Sequence, residues 1–424
     1  MRYLVVPALL LGLLVAQTGT SSVAQTKPPV AIEYWHVNTE SFGGPAVREL
    51  VAAFNKAHPD IVVSEHFQPN TYTGLLENLQ ARIAAKNPPD VAQIGYLYVD
   101  YVVKNLPYSP VGDSLDARFL RDFPSNLLDL ARRDGKLVGM PYALSNIVTF
   151  YNADMLKAAG LDPNAPPSTW DGWRDAARKI KEKTGKPGIY VQVLDDNWST
   201  QAMIESHGGR LLGCSAGHAA PAFDSPAAAA GIQYWSDMVH DGDALNVLWN
   251  QGQQAFVAGQ VATFITTIAK RDTLQASVKF DLRATTFPTF GKTRPRLPAG
   301  GNALMVFSQA PEKRAAAIEF IKYLESPEAL AIWTKGTGYI PTNPRAREAL
   351  ADFLQKNAME RVAMDQTPLV VPWTSFPGKD GLAAEQELFG ALQRSLSGET
   401  SAATALGAAA QRVAPAIAGE PCHS

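Results

Sequence analysis

The stretch that most constrains this chain is Gly139–Asn152, GMPYALSNIVTFYN. Pro141 opens it with a turn. Ile147, Val148, Thr149, Phe150 and Tyr151 then form a β-branched and aromatic run that reads as a buried strand. A helix start follows at Asn152, and Gly160 stops that helix. The strand is polar at its beginning (Tyr142, Ser145, Asn146) and apolar within. We read it as the first crossing between two α/β lobes, with its polar groups facing the cleft between them, a usual place for a ligand. An ordinary buried strand with a polar end is the alternative.

The chain before this stretch alternates strand and helix. Val30–Val37 reads as a strand, 45–58 as a helix carrying Val47, Leu50, Val51 and Phe54 on one face, Ile61–Phe67 as a strand, 72–85 as a helix and Asp90–Gly95 as a short strand. Such alternation implies a mostly parallel sheet covered by helices. The pattern resumes after the crossing. A helix over 169–184 has Ser168 or Thr169 as its cap and Gly185 as its stop. A strand over 188–194, a helix over 198–207, a hairpin over 210–223 and a helix capped by Ser225 follow. Next come a helix over 250–258, a strand over 261–267, a glycine-led strand from Ala299 and a helix over 311–324. The remainder is mainly helical.

At 424 residues the chain suggests two or three domain-sized units. A hydrophobic content of 46% and a charged content of 18% are globular values. A net charge of −2 without a Lys/Arg block disfavours nucleic acid or an anionic membrane as partner. Residues 1–24 read as an export leader: Arg2, an apolar run from Tyr3 to Val15 too short to span a membrane, and a small-residue cleavage site ending at Ala24. No Cys near that site offers a lipid anchor, so an exported, soluble mature protein is expected. In such a compartment Cys214 and Cys422 either bridge or remain free thiols. Gly213–Gly217 matches a nucleophile-elbow string but is not followed by a helix signal. The histidines show no metal spacing, and neither HExxH nor a P-loop appears, so no cofactor is implied.

Several segments resemble, in order, the carbohydrate-binding family of extracellular solute-binding proteins that serve bacterial ABC importers. They are Tyr34-Trp35-His36, Phe54–Ile61, Pro88–Val91, Tyr151–Pro163, Pro167–Asp171, Phe256–Ala262, Gly300–Ala303, Ala317–Leu324 and Gly338–Pro341. The resemblance implies a two-lobed α/β fold of the type II periplasmic-binding class, with a ligand held between lobes that close about a hinge. It implies lobes of 25–143 plus about 290–338, and 144–289 plus about 339–424. It also implies a monomer that docks on the permease's transmembrane subunits, and no catalysis. Family binding positions fall on Tyr72, Ser145, Trp198, Gly300 or Gly301, and Tyr339. Two positions depart in the glycerol-3-phosphate-binding branch: Tyr96 stands where a carboxylate is expected, and only Lys379 stands near the place of an arginine.

A phosphate calls for charge-assisted donors. Their absence from the family positions favours a neutral sugar over a glycerophosphate. Sugars offer apolar faces to aromatic planes and hydroxyls to Asp, Asn, Gln and Ser/Thr. The candidate contacts are therefore Trp35, Tyr72, Tyr96, Ser145, Asp195, Trp198, Gly300, Gly301, Asn302, Tyr339 and Trp373. Core packing is the competing reading for Trp35 and Trp373, a solvated turn for Asp195, and a turn role for Asn302. Trp173, Trp235, Trp249 and Trp333 lie on helical patterns and read as core. An exported carbohydrate-active enzyme is the reading from a different class.

Overall fold

The computed structural model describes Met1, Tyr3, Leu4, residues 28–193 and residues 196–422. The leader expected over 1–24 lies almost wholly outside the described residues, and Asp195 lies outside them as well. The chain begins with β1 (Val30–His36), α1 (Gly44–Ala57), β2 (Ile61–Phe67), α2 (Thr71–Ala84) and β3 (Val91–Gly95). The stretch from Gly139 is two strands, β4 (Met140–Ser145) and β5 (Ile147–Asn152), parted at Asn146. Then come α3 (Trp170–Thr184), α4 (Trp198–Ser206), α5 (Trp249–Val257), β6 (Thr263–Thr267), β7 (Leu282–Thr285) and β8 (Gly300–Val306). Helices α6 (Pro311–Leu324), α7 (Pro327–Thr337) and α8 (Ala358–Asp365) follow. The cap signals behave as their chemistry requires: Thr169 accepts from Gly172 N, and Gly185 closes α3 in the left-handed region at φ 71°.

The first sheet has the order β2-β1-β3-β8-β4. The pairs β1–β2 and β1–β3 are parallel, whereas β8 runs antiparallel to both β3 and β4. One strand is thus reversed, because the chain leaves this sheet along β4 and returns into it along β8. The second sheet, β6-β5-β7, is antiparallel in both pairings. It departs from the parallel pattern because β5 carries the chain out of the first lobe and β7 carries it back. The segment expected as a strand over 188–194 touches this sheet by the parallel bridge Val191–Ile265 rather than by a full ladder.

Both faces of β5 are covered, which accounts for its unbroken apolar run. Val148 and Phe150 belong to one apolar cluster, and Ile147 and Tyr151 to the other. The first cluster fills the first lobe and extends through Phe264, Met359 and Ala363 onto one face of the second sheet. The second gathers Trp170, Trp173, Trp198 and Trp235 with the helices Gly381–Leu396 and Ala402–Ala416. Residues from Ile340 to Val370 accordingly pack in the first cluster, and those from Phe376 to Ile417 in the second.

Cys214 and Cys422 form a disulfide, with Cα atoms 5.5 Å apart. It joins the hairpin Leu212–Ser215/His218–Pro221 to the tail, where Ala219 N donates to Glu420 O at 2.8 Å. The elbow-like string Gly213–Gly217 is the tip of this hairpin, with Ala216 and Gly217 at positive φ. Side-chain contacts link the tail region to the first lobe. Ser375 Oγ donates to Asp100 Oδ2 at 2.5 Å, and Lys104 pairs with Glu420.

The crossings are clasped by two buried amides. Asn146 is wholly buried; its Nδ2 donates to Ala363 O at 2.8 Å, and its backbone carbonyl accepts from Ile268 N at 3.1 Å. Gln366 is also buried; its Nε2 donates to Ile147 O at 2.9 Å and to Asn146 Oδ1 at 3.3 Å, while its Oε1 accepts from Phe287 N at 2.8 Å. The outgoing crossing, the returning chain and α8 are thereby held by one side chain. Replacing it with an apolar isostere strands a buried N–H and a buried carbonyl. Gln366→Leu should lower the unfolding free energy by about 2–4 kcal/mol in urea titration; a change under about 0.5 kcal/mol contradicts the clasp.

Candidate functional site

Strand β8 organises the candidate site. Its pairings set Gly300 opposite Ser145 on β4, and Asn302 opposite Gly95 at the end of β3. Gly300 is a glycine of necessity, since a Cβ there would meet Ser145 Oγ at 2.4 Å and Trp198 Cζ2 at 3.1 Å. Gly301 has φ +114°, and its Cβ would lie 2.0 Å from Ala143 O. The glycines therefore let Ser145 and the Trp198 ring pack directly on the returning strand.

Around Asn302 sits a neutral polar cluster. Asn302 Nδ2 donates to Tyr72 Oη at 2.9 Å. The Tyr72 ring packs against Gly95, whose Cβ would meet it at 2.8 Å. Tyr96 follows directly, and Tyr72 and Tyr96 are both electrostatic neighbours of Tyr339. Burial pushes the phenols of Tyr72, Tyr96 and Tyr339 up, so all three are neutral hydroxyls at ordinary pH. Asn302 Oδ1 is buried without a hydrogen-bond partner. A buried polar atom left unpaired is costly, and a hydroxyl donor from a ligand would suit it.

The other wall is aromatic: Trp198 belongs to the second cluster, and Trp373 packs against both. Trp198 opens α4 and donates from Nε1 to Pro298 O at 2.8 Å. Trp373 lies 6.2 Å from it, centroid to centroid, tilted by 49°. Asn197 fixes that loop: its Oδ1 accepts from Trp373 Nε1 at 2.5 Å and its Nδ2 donates to Thr374 O at 2.9 Å.

The structure thus brings together Tyr72, Tyr96, Ser145, Trp198, Gly300, Gly301, Asn302, Tyr339 and Trp373. Trp35 is not brought to them. Its buried ring lies under the Arg82 guanidinium, 5.4 Å from the centroid. Arg82 is ten residues further along α2 than Tyr72, about 15 Å along the axis. Trp173, Trp235 and Trp333 are buried in the cores, but Trp249 is only partly buried and carries Lys270 Nζ 4.3 Å from its centroid. Sequence reasoning missed this pair. A helical pattern hid the Trp, and no local motif marks the Lys.

Behind the tyrosines lies Glu325, wholly buried, an electrostatic neighbour of Tyr96. Thr342 Oγ1 donates to its Oε2 at 2.6 Å, while Oε1 has no partner. Burial raises this carboxyl from 4.5 to about 8, with the Thr342 hydrogen bond opposing. The native state then keeps a proton that the unfolded chain has released. Its contribution to stability is complete below about pH 4.5 and is lost as the pH rises toward about 8. Urea midpoints should fall between about pH 5 and about pH 8, and Glu325→Gln should flatten that fall. An unchanged pH dependence in the variant contradicts the assignment.

Comparison with known proteins agrees with this architecture. The sn-glycerol-3-phosphate-binding periplasmic protein UgpB of Escherichia coli O1:K1 is 25% identical over 371 residues, spanning 82% of this chain and 83% of that protein. The cyclic alpha-maltosyl-1,6-maltose binding protein of Arthrobacter globiformis superposes with a TM-score of 0.82 at 23% identity, over 92% of this chain and 99% of that one. UgpB of Mycobacterium tuberculosis, solved with glycerophosphocholine, gives 0.79 at 21% identity, over 92% and 98%. The fold is that of two-lobed type II binding proteins. A family model described as bacterial extracellular solute-binding protein matches residues 49–361, and the chain belongs to that family.

Proposed function

We propose that this solute-binding protein captures a mono- or oligosaccharide between its lobes and delivers it to the transmembrane subunits of an ABC importer. The observation that carries the reading is the meeting, along β8, of a neutral hydroxyl-and-amide cluster with the Trp198–Trp373 wall. Hydroxyls and amides suit the rim of a sugar, and indoles suit its faces. Maltose-type binding among the structural neighbours supports a saccharide; the glycerol-3-phosphate relatives support the runner-up, a glycerophosphate.

The remaining features of the reading are these. The lobes comprise 25–143 plus about 290–338, and 144–289 plus about 339–424, with 340–370 packing onto the first cluster. The protein is exported by its leader, matures near Gln25, carries no lipid anchor and works as a monomer. It is not an enzyme. The site's phenols are held neutral, which suits hydrogen bonding rather than proton transfer. Among the described residues no helix is long and apolar enough to cross a membrane.

A thermal-shift screen tests the ligand class, because a ligand that binds only the native form raises Tm. We expect a saccharide to do so, and Tyr339→Ala or Trp373→Ala to weaken its binding by about 1–3 kcal/mol in calorimetry while the fold survives. Stabilisation by glycerol 3-phosphate or glycerophosphocholine alone, with no response to saccharides, overturns the sugar in favour of the glycerophosphate.

A further inference from the structure

Lys270 ends the short turn that follows β6, and its ammonium lies over the ring of Trp249, 4.3 Å from the centroid. Both residues are partly buried. Among the described residues no carboxylate forms an ion pair with Lys270, although its neighbour Arg271 is paired with both Glu360 and Asp272. Desolvation holds the Lys270 ammonium below the usual lysine range, with no opposing acidic group. A cation withdrawn from water and left without an anion is an uncommon arrangement in a folded chain.

The place of the pair matters as much as its charge. Trp249 N donates to Val193 O at 2.9 Å, and Trp198 begins α4 five residues beyond Val193. Trp249 is thus tied to the end of the 188–193 segment, which bridges to β6 at Val191–Ile265. Trp249 Nε1 donates to Thr266 Oγ1 at 3.2 Å, and Thr266 donates to Gln192, so the indole is held in place. On the other side, Ala269 lies 3.6 Å from the Cβ position of Gly338, which precedes Tyr339. Ile268 N binds the carbonyl of Asn146 at the crossing. The turn that ends in Lys270 thus lies beside the Asn146 crossing and the turn at Gly338–Tyr339.

We propose that Lys270 and Trp249 form an anion-accepting subsite of the cleft, so that the saccharide is an acidic one, with a carboxylate or phosphate oxygen on Lys270 Nζ and the indole edge lining the adjoining ring. This rests on the saccharide reading of the cleft and narrows it. A lysine ammonium is a charge-assisted donor suited to either anion.

The test is calorimetric titration of the full mature chain, and of Lys270→Met and Lys270→Arg, with matched probes. The probes are galacturonate against galactose, glucose 6-phosphate against glucose, and glycerol 3-phosphate. We expect the acidic member of a pair to bind about tenfold more tightly than the neutral one, the scale of one charge-assisted hydrogen bond. Lys270→Met should erase that preference while neutral binding stays within about twofold, and Lys270→Arg should keep most of it. Preference for galacturonate or for glucose 6-phosphate identifies which anion the site takes. Equal binding of acid and neutral members, or a preference that survives Lys270→Met, overturns the subsite and leaves the saccharide reading standing. Binding of glycerol 3-phosphate alone, lost in Lys270→Met, overturns the saccharide and leaves the subsite standing. A panel without any binder removes both.

Discussion

Everything that faces the cleft depends on how the chain is held where it passes between its lobes. Asn146 and Gln366 do this with buried amides: Asn146 donates to Ala363 O and accepts from the Gln366 side chain, while Gln366 donates to Ile147 O and accepts from Phe287 N. Such groups are costly unless fully paired, so the arrangement specifies one geometry for the crossings. Ser145 lies immediately before Asn146, and Ile268 is bonded to it. The clasp therefore positions both the Gly300–Ser145 contact and the turn that ends in Lys270. The crossings are thus fixed by hydrogen bonds as well as by apolar packing.

The walls of the cleft have different origins. Strand β8 brings its glycines and Asn302 from the returning crossing, while Trp198 comes from the second cluster and Trp373 from a loop packed against both. Contacts farther out also join the two sides: Ser375 to Asp100, and Lys104 to Glu420 beside the disulfide. These surface pairs are individually weak.

Much of the architecture was legible in the residues. The alternation from Val30 to Gly95 and the caps at Thr169 and Gly185 follow from local propensity and turn chemistry, and those elements form within a residue or two. The crossing at Gly139–Asn152 was legible because its two-sided burial demands a continuous apolar run. Pairing direction in the second sheet was not legible, since strand order is set by long-range contacts that no local pattern encodes. The same limit separates Trp35 from Tyr72. Each is an aromatic near the end or start of an element, and only the position of Arg82 on α2 shows which side of the lobe the Trp35 ring occupies. Lys270 and Trp249, 21 positions apart in sequence, carry no motif; their meeting is a product of β6 and α5 packing together.

The central claim is that a ligand is held by both walls at once. Hydrogen–deuterium exchange with and without a stabilising saccharide measures this directly. The account predicts coincident protection at 142–147 and 298–302 from the first lobe and its crossings, at 197–200 from the second, and at the 338–340 turn. Protection confined to one lobe, or centred on the surface cavity of about 490 Å³ between Asp60 and Arg314, would contradict it.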